Sequence, residues 1–145
     1  MIRIALCDDE QEMLDLLSLR IKEYSANGFC EPLETVSFNS VDSLLFAIGE
    51  SCPFDIFILD VYIGEKMGTD LARTIRKKGI KSPIIFLTTS IDHAPESFET
   101  GTLRYLIKPI NPAKFCEAIG AAIAQFEKQS EHLIKLKTLL CCYVY

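Results

Sequence analysis

A chain of 145 residues with 49% apolar and 24% charged side chains suits one globular domain around one core, not a disordered segment. Its net charge of −5 argues against a direct grip on nucleic-acid phosphates, which needs clustered lysine and arginine. No apolar run reaches the roughly 18 residues of a membrane span, and Met1-Ile2-Arg3-Ile4 lacks the layout of a secretory leader. Six cysteines without a C-x-x-C pair, beside only two histidines, argue against structural zinc, so the thiols read as reduced, small residues of a cytoplasmic protein.

Ile2 to Cys7 is short, apolar and ended by acids, and predicts a buried strand. From Glu10 to Tyr24, apolar residues at 13, 16, 17, 21 and 24 keep helical spacing; Asp9 reads as the N-cap with Glu12 completing a capping-box pattern, and Asn27-Gly28 as the stop. Leu33 to Phe38 is a second strand; a helix starting at Asn39 or Ser40 runs to Ile48 and stops at Gly49. Phe54 to Leu59 is almost wholly apolar, as a parallel strand covered on both faces must be. Thr69 to Lys78 predicts a helix closed by Gly79, Pro83 to Leu87 a fourth strand, 95 to 100 a weaker helix, and Tyr105 to Ile107 a short fifth strand. Asn111-Pro112 opens a last helix, with Asn as cap and Pro at the first helical position. Five strand–helix alternations predict a doubly wound parallel α/β sheet with helices on both faces.

In such a sheet, ligands bind beyond the carboxyl ends of the strands. Asp8 and Asp9 follow the first strand, Asp60 ends the third, Thr88 and Thr89 the fourth, and Lys108 follows the fifth. Singly these read as a helix cap, a solvated turn, packing and a loop charge. Jointly they place three carboxylates, a hydroxyl and an ammonium on one edge. Clustered carboxylates with no histidine or cysteine beside them favour a hard cation, Mg²⁺. A carboxylate, a divalent cation, a cationic side chain and a hydroxyl are what phosphoryl transfer to an aspartate requires.

The stretches Ala5-Leu6-Cys7-Asp8-Asp9-Glu10, Ile58-Leu59-Asp60-Val61, Ile85-Phe86-Leu87-Thr88 and Tyr105-Leu106-Ile107-Lys108-Pro109 resemble the receiver domains of two-component response regulators over about residues 1–127. The resemblance implies a flavodoxin-like (CheY-like) fold with strand order 2-1-3-4-5. It makes Asp60 the phosphoacceptor and gives Mg²⁺ to Asp8, Asp9, Asp60 and the backbone carbonyl of Tyr62. It puts Thr88 and Lys108 on the phosphoryl group, makes Thr88 and Tyr105 the switch pair, Lys108-Pro109 a cis bond and Gly68 the glycine of the loop after the acceptor. The expected donor is a sensor histidine kinase, and the expected homodimer forms through the face of the fourth helix, fifth strand and fifth helix. The domain would not be an enzyme beyond gaining and losing its own phosphoryl group, and would touch neither membrane nor DNA itself. Asp92 to Glu99 and Gly101 to Ile110 are similar to the LytR/AgrA/AlgR subfamily, whose members act in transcription regulation through a LytTR DNA-binding domain for which this chain has no room. The stretch depicted by residues 128–145 therefore reads as a tail, either an extension of the last helix or a remnant of a linker to an absent LytTR domain; its apolar residues predict self-association. Gly64 and Thr89 depart from the family pattern, Thr89 by bulk near Asp60.

A haloacid-dehalogenase-type phosphatase would need a second acid two residues after the nucleophile, where Tyr62 stands. A flavodoxin-like flavin binder would need a hydroxyl- and glycine-rich loop after the first strand, where acids stand. A degenerate receiver serving only as a protein-interaction module would lack an acid, the acceptor or the lysine, and all are present.

Overall fold

Strand alternation splits the apolar residues of the sheet between two cores. In the computed structural model, which describes residues 1–28, 30–89 and 101–144, β1 (Ile2–Cys7) turns Ile2, Ile4 and Leu6 to one face and Ala5 and Cys7 to the other. Because both faces are covered, both sets are buried, and the strand reads as a continuous apolar run. The strands β2 (Leu33–Phe38), β3 (Ile56–Asp60), β6 (Ile84–Thr88) and β7 (Arg104–Ile107) complete a five-stranded sheet in the order β2-β1-β3-β6-β7, every pair parallel. Counted over the sheet strands alone, this is the expected 2-1-3-4-5. The edge strand β2 is only half-buried, which explains the mixed character of Leu33 to Phe38.

One core packs β1, β3, β6 and β7 against α1 (Gln11–Ala26) and the C-terminal helix α4 (Pro112–Val144), through Leu14, Leu17, Ile21, Phe115, Ile119 and Ile123. The other packs the opposite face against α2 (Val41–Ile48) and α3 (Gly68–Lys77), through Leu44, Ile48, Leu71 and Ile75. The helix expected at 95–100, and the subfamily stretch from Asp92 to Glu99, lie outside the described residues.

Local chemistry sets most helix ends as expected. The Ser40 side chain accepts from the Ser43 N–H at the start of α2, and Gly49, at φ 56°, ends it. The Asn111 side chain accepts from the N–H groups of Ala113 and Lys114, with Pro112 as the first helical residue. Three expectations need correction. Asp9 does not cap α1: Glu10 is the N-cap and no side chain closes the helix, while Asp8 instead accepts from the Glu10 N–H at 2.9 Å. The third strand runs Ile56–Asp60; just before it the Asp55 N–H donates to the Arg3 carbonyl at 2.8 Å, and the Asp55 carboxylate accepts from the Arg3 N–H at 2.9 Å. A two-residue antiparallel hairpin, β4 (Tyr62–Ile63) and β5 (Lys66–Met67), follows Asp60 where a simple loop was expected. The tail is helical: α4 runs unbroken for 33 residues.

Candidate functional site at the carboxyl edge of the sheet

Register brings the polar residues together. Cys7 lies beside Leu59, and Asp60 beside Leu87, so Asp8 follows directly alongside Asp60. Thr88 lies beside Ile107, and Lys108 follows one residue on. The backbone continues the ladder across this edge: the Lys108 N–H donates to the Thr88 carbonyl at 2.7 Å, the Val61 N–H to the Leu87 carbonyl at 3.2 Å, and the Asp8 N–H to the Phe38 carbonyl at 3.1 Å. Each chemical group therefore sits on a strand end that the sheet holds in place. The bond between Lys108 and Pro109 is cis, as expected.

Asp8, Asp9 and Asp60 each present a carboxylate oxygen within 4.8 Å of the others, with Asp8 and Asp60 buried and Asp9 exposed. The Lys108 Nζ donates to Asp8 Oδ2 at 2.8 Å and to Asp60 Oδ2 at 3.0 Å. Asp60 Oδ1 accepts from the Tyr62 N–H at 3.4 Å. Burial pushes the Asp60 carboxyl above the usual carboxylate range; the hydrogen bond from Lys108 opposes that push, and the charge on Asp8 adds to it. Burial works against the Lys108 charge, but the hydrogen bonds to both carboxylates outweigh it and the ammonium holds its proton above the ordinary lysine range. The neighbouring Cys7 thiol is pushed up to about 12 by burial and then by Asp8, Asp60 and Asp9, so it stays a neutral packing group and no nucleophile.

Three carboxylates against one ammonium leave an excess of negative charge in a partly dry edge, and every available ligand is a hard oxygen. This donor set fits Mg²⁺. With Asp9 on the solvent side, a hydrated cation has its entry there. The assignment of the Tyr62 carbonyl to the metal rests on the resemblance alone.

Thr88 is fully buried, and alternation puts it on the same face as Tyr105, which is half-buried and packs on the α2–α3 core. Asp8 and Asp60 continue the alternation of the opposite face. Thr89 is exposed beside this edge. One participant was not legible beforehand. Lys66, the first residue of β5, pairs with Asp42 of α2 at 2.6 Å and ties the hairpin to that helix; nothing in a lone exposed lysine signals this. Gly68 is packed so closely that a Cβ there would lie 1.8 Å from the Asp60 carbonyl oxygen, while its N–H donates to the Val61 carbonyl at 2.6 Å. Gly68 is the glycine expected after the acceptor strand, and it stands as the first residue of α3.

A doubly wound parallel sheet with an acid triad and a lysine across its carboxyl edge is the arrangement that the receiver resemblance implies. The chain belongs to the response regulator receiver domain family, whose model matches residues 4–120. It is similar to the transcriptional regulatory protein DcuR of Escherichia coli (strain K12), 26% identical over 121 residues, covering 82% of this chain and 49% of the relative. It is similar also to the sensory transduction protein LytT of Bacillus cereus, 26% identical over 140 residues, covering 94% and 52%. Among solved structures, the response regulatory domain of protein mrkE from Klebsiella pneumoniae superposes with a TM-score of 0.77 at 25% identity, covering 88% of this chain and 99% of that one. The chain thus spans about half the length of the curated relatives it matches, one named a transcriptional regulatory protein and the other a sensory transduction protein.

Proposed function

We propose that a sensor histidine kinase phosphorylates this domain on Asp60 and that Mg²⁺ is held by Asp8, Asp9, Asp60 and the Tyr62 carbonyl. The observation that carries the reading is the position of Lys108 Nζ, bonded at once to the buried Asp60 and to Asp8. In the transfer, a carboxylate oxygen of Asp60 forms a bond to phosphorus as the bond from phosphorus to the kinase imidazole nitrogen breaks, and the electron pair stays on that nitrogen. The bound cation supplies charge neutralisation for the phosphoryl oxygens. Lys108 moves one of its hydrogen bonds from Asp60 to a phosphoryl oxygen, and the Thr88 hydroxyl donates to another. Drawing Thr88 toward Asp60 frees space on the face it shares with Tyr105, and the Tyr105 ring moves into it. That is a population shift between two packings, read out on the surface around β7, the first turns of α4 and the helix expected at 95–100, through which two copies pair. The domain acts as a cytoplasmic phosphoacceptor with no substrate of its own. Output runs through DNA by way of a further domain, of LytTR type on the subfamily reading, in a longer protein.

The test is incubation of the chain with an acyl phosphate and Mg²⁺, followed by mass spectrometry. The expected result is a single alkali-labile adduct that is absent from Asp60→Asn. An adduct persisting in that variant overturns Asp60 as acceptor; a folded chain that gains none is an interaction module instead.

A further inference from the structure

Half of the large hydrophobic side chains that stand exposed among the described residues lie in one stretch of one helix: Leu133, Ile134, Leu136, Leu139 and Leu140. Everything from Glu131 to Cys141 is exposed, yet the helix carries on through it without a break. Continuing a formed helix avoids a new nucleus, but most helical stability comes from packing an amphipathic face, and this stretch packs none among the described residues.

The pattern of that face is continuous with the domain core. Positions 119, 122, 126, 129, 133, 136 and 140 follow the alternating three- and four-residue steps of a heptad seam. Ile119 and Ala122 are buried under the sheet and Phe126 packs against the same core. Gln129 marks the base of the domain, where its side-chain amide donates to the Lys81 carbonyl at 3.1 Å. Leu133, Leu136 and Leu140 prolong the seam past it, 58%, 43% and 64% exposed. At the base, the loop Gly79–Ser82 and the seam face of α4 enclose an open groove of about 910 Å³, to which Phe126, Leu133 and Leu136 contribute.

We propose that a second copy of this chain covers the seam, its helix laid antiparallel along residues 129–140 with its end in that groove. A second copy is the fitting occupant because a heptad seam complements itself. The flanking charges Glu127, Lys128, Glu131, Lys135 and Lys137 are mixed in sign and select no strongly charged partner. Orientation follows from the fold. The stripe that faces outward below Gln129 faces the protein's own sheet above it. A parallel partner in register would have to pass its upper turns through that sheet. An antiparallel partner lies alongside residues 129–140 and meets the domain only at its base. Heptad layers then set Leu133 against Leu136 of the partner subunit, and Gln129 against Leu140 of the partner subunit. This pairing is separate from the surface around β7 and does not depend on phosphorylation.

Sedimentation velocity of the full chain over a concentration series should show a monomer–dimer equilibrium. The double variant Leu133→Glu/Leu140→Glu should remain monomeric with an unchanged far-ultraviolet spectrum. Ile134→Glu should dimerise as the parent does, because Ile134, 64% exposed, lies about 100° round the helix from Leu133. Equal loss of dimer in Ile134→Glu, or a monomeric parent, overturns the proposal. Orientation is tested with Cys116, Cys141 and Cys142 replaced by serine. A mixture of chains carrying Gln129→Cys and Leu140→Cys should form a disulfide-linked heterodimer. Efficient linkage of either chain to itself would show a parallel pairing and overturn the geometry.

Discussion

Asp8, Asp9 and Asp60 bring three negative charges within 4.8 Å of one another, and the ammonium of Lys108 stands against them. Removing that ammonium leaves two buried carboxylates without a cation, so Lys108→Ala should lower stability at pH 7 by about 3 kcal/mol in the absence of divalent metal. Added Mg²⁺ should recover part of the deficit, and urea denaturation with and without the ion measures both. The pH dependence follows from the directions of the shifts. The fold holds the Lys108 proton more tightly than the unfolded chain does, so this stabilisation is complete below the ordinary lysine range and is lost as pH rises through the raised folded value. Asp60 also has a raised value, so its ionisation costs the fold; the cost is absent in acid and develops as pH rises through that value, where a bound cation relieves it. Asp9 separates two roles that look alike in sequence. A capping aspartate would contribute about 1 kcal/mol of stability, but no side chain caps α1. Asp9→Ala should therefore leave the unfolding midpoint of the metal-free chain nearly unchanged while weakening Mg²⁺ about tenfold or more. Calorimetric titration that finds the affinity unaltered would remove Asp9 from the metal site.

The hairpin of β4 and β5 shows how an element invisible to pattern reading governs the site. Two-residue strands carry no period, so Tyr62–Ile63 and Lys66–Met67 could not be separated from loop in the sequence. The central strands could, because burial on both faces makes β1, β3 and β6 apolar runs, and the edge chemistry could, because the polar residues fall where the strands end. The capping box at Asp9 misled for a definable reason: Asp8, one residue earlier, takes the Glu10 N–H and turns the chain before Asp9 can cap. The hairpin returns the chain so tightly that Gly68 meets the backbone of Asp60 itself. A methyl group there must displace the acceptor strand or the first turn of α3. Gly68→Ala should cost about 2 kcal/mol and weaken Mg²⁺, because Asp60 moves with its carbonyl. Gly28→Ala is the control: at φ +75° it is strained locally, with nothing within 4 Å and no link to the site. Thermal unfolding and Mg²⁺ titration of both variants distinguish a steric effect at the site from loss of a permissive backbone.

At the scale of the whole molecule, the two cores close on the sheet and leave the second half of α4 outside both. In the sequence this stretch was ambiguous. Ile134-Lys135-Leu136-Lys137 alternates as a half-buried strand does, while Leu133, Leu136 and Leu140 keep helical spacing. The helical reading prevails because α4 enters the stretch already formed, with Phe115, Ala118, Ile119, Ala122 and Ile123 buried along one side, and extending an existing helix avoids the cost of a new nucleus. The stability of the receiver fold should therefore reside upstream. Residues from Glu131 onward contribute no buried side chain among those described, and Gln129, which anchors the helix to the Lys81 carbonyl, lies before them. A chain ending at Ser130 should retain its unfolding free energy within about 1 kcal/mol, since exposed positions contribute little. It should also gain phosphate on Asp60 as readily as the longer chain, because the acid edge lies at the opposite end of the strands from Lys81. Denaturant curves at a concentration where the longer chain is monomeric, run beside acyl-phosphate labelling, test both statements. A loss of several kcal/mol would show that the extension packs on the domain and belongs to its core.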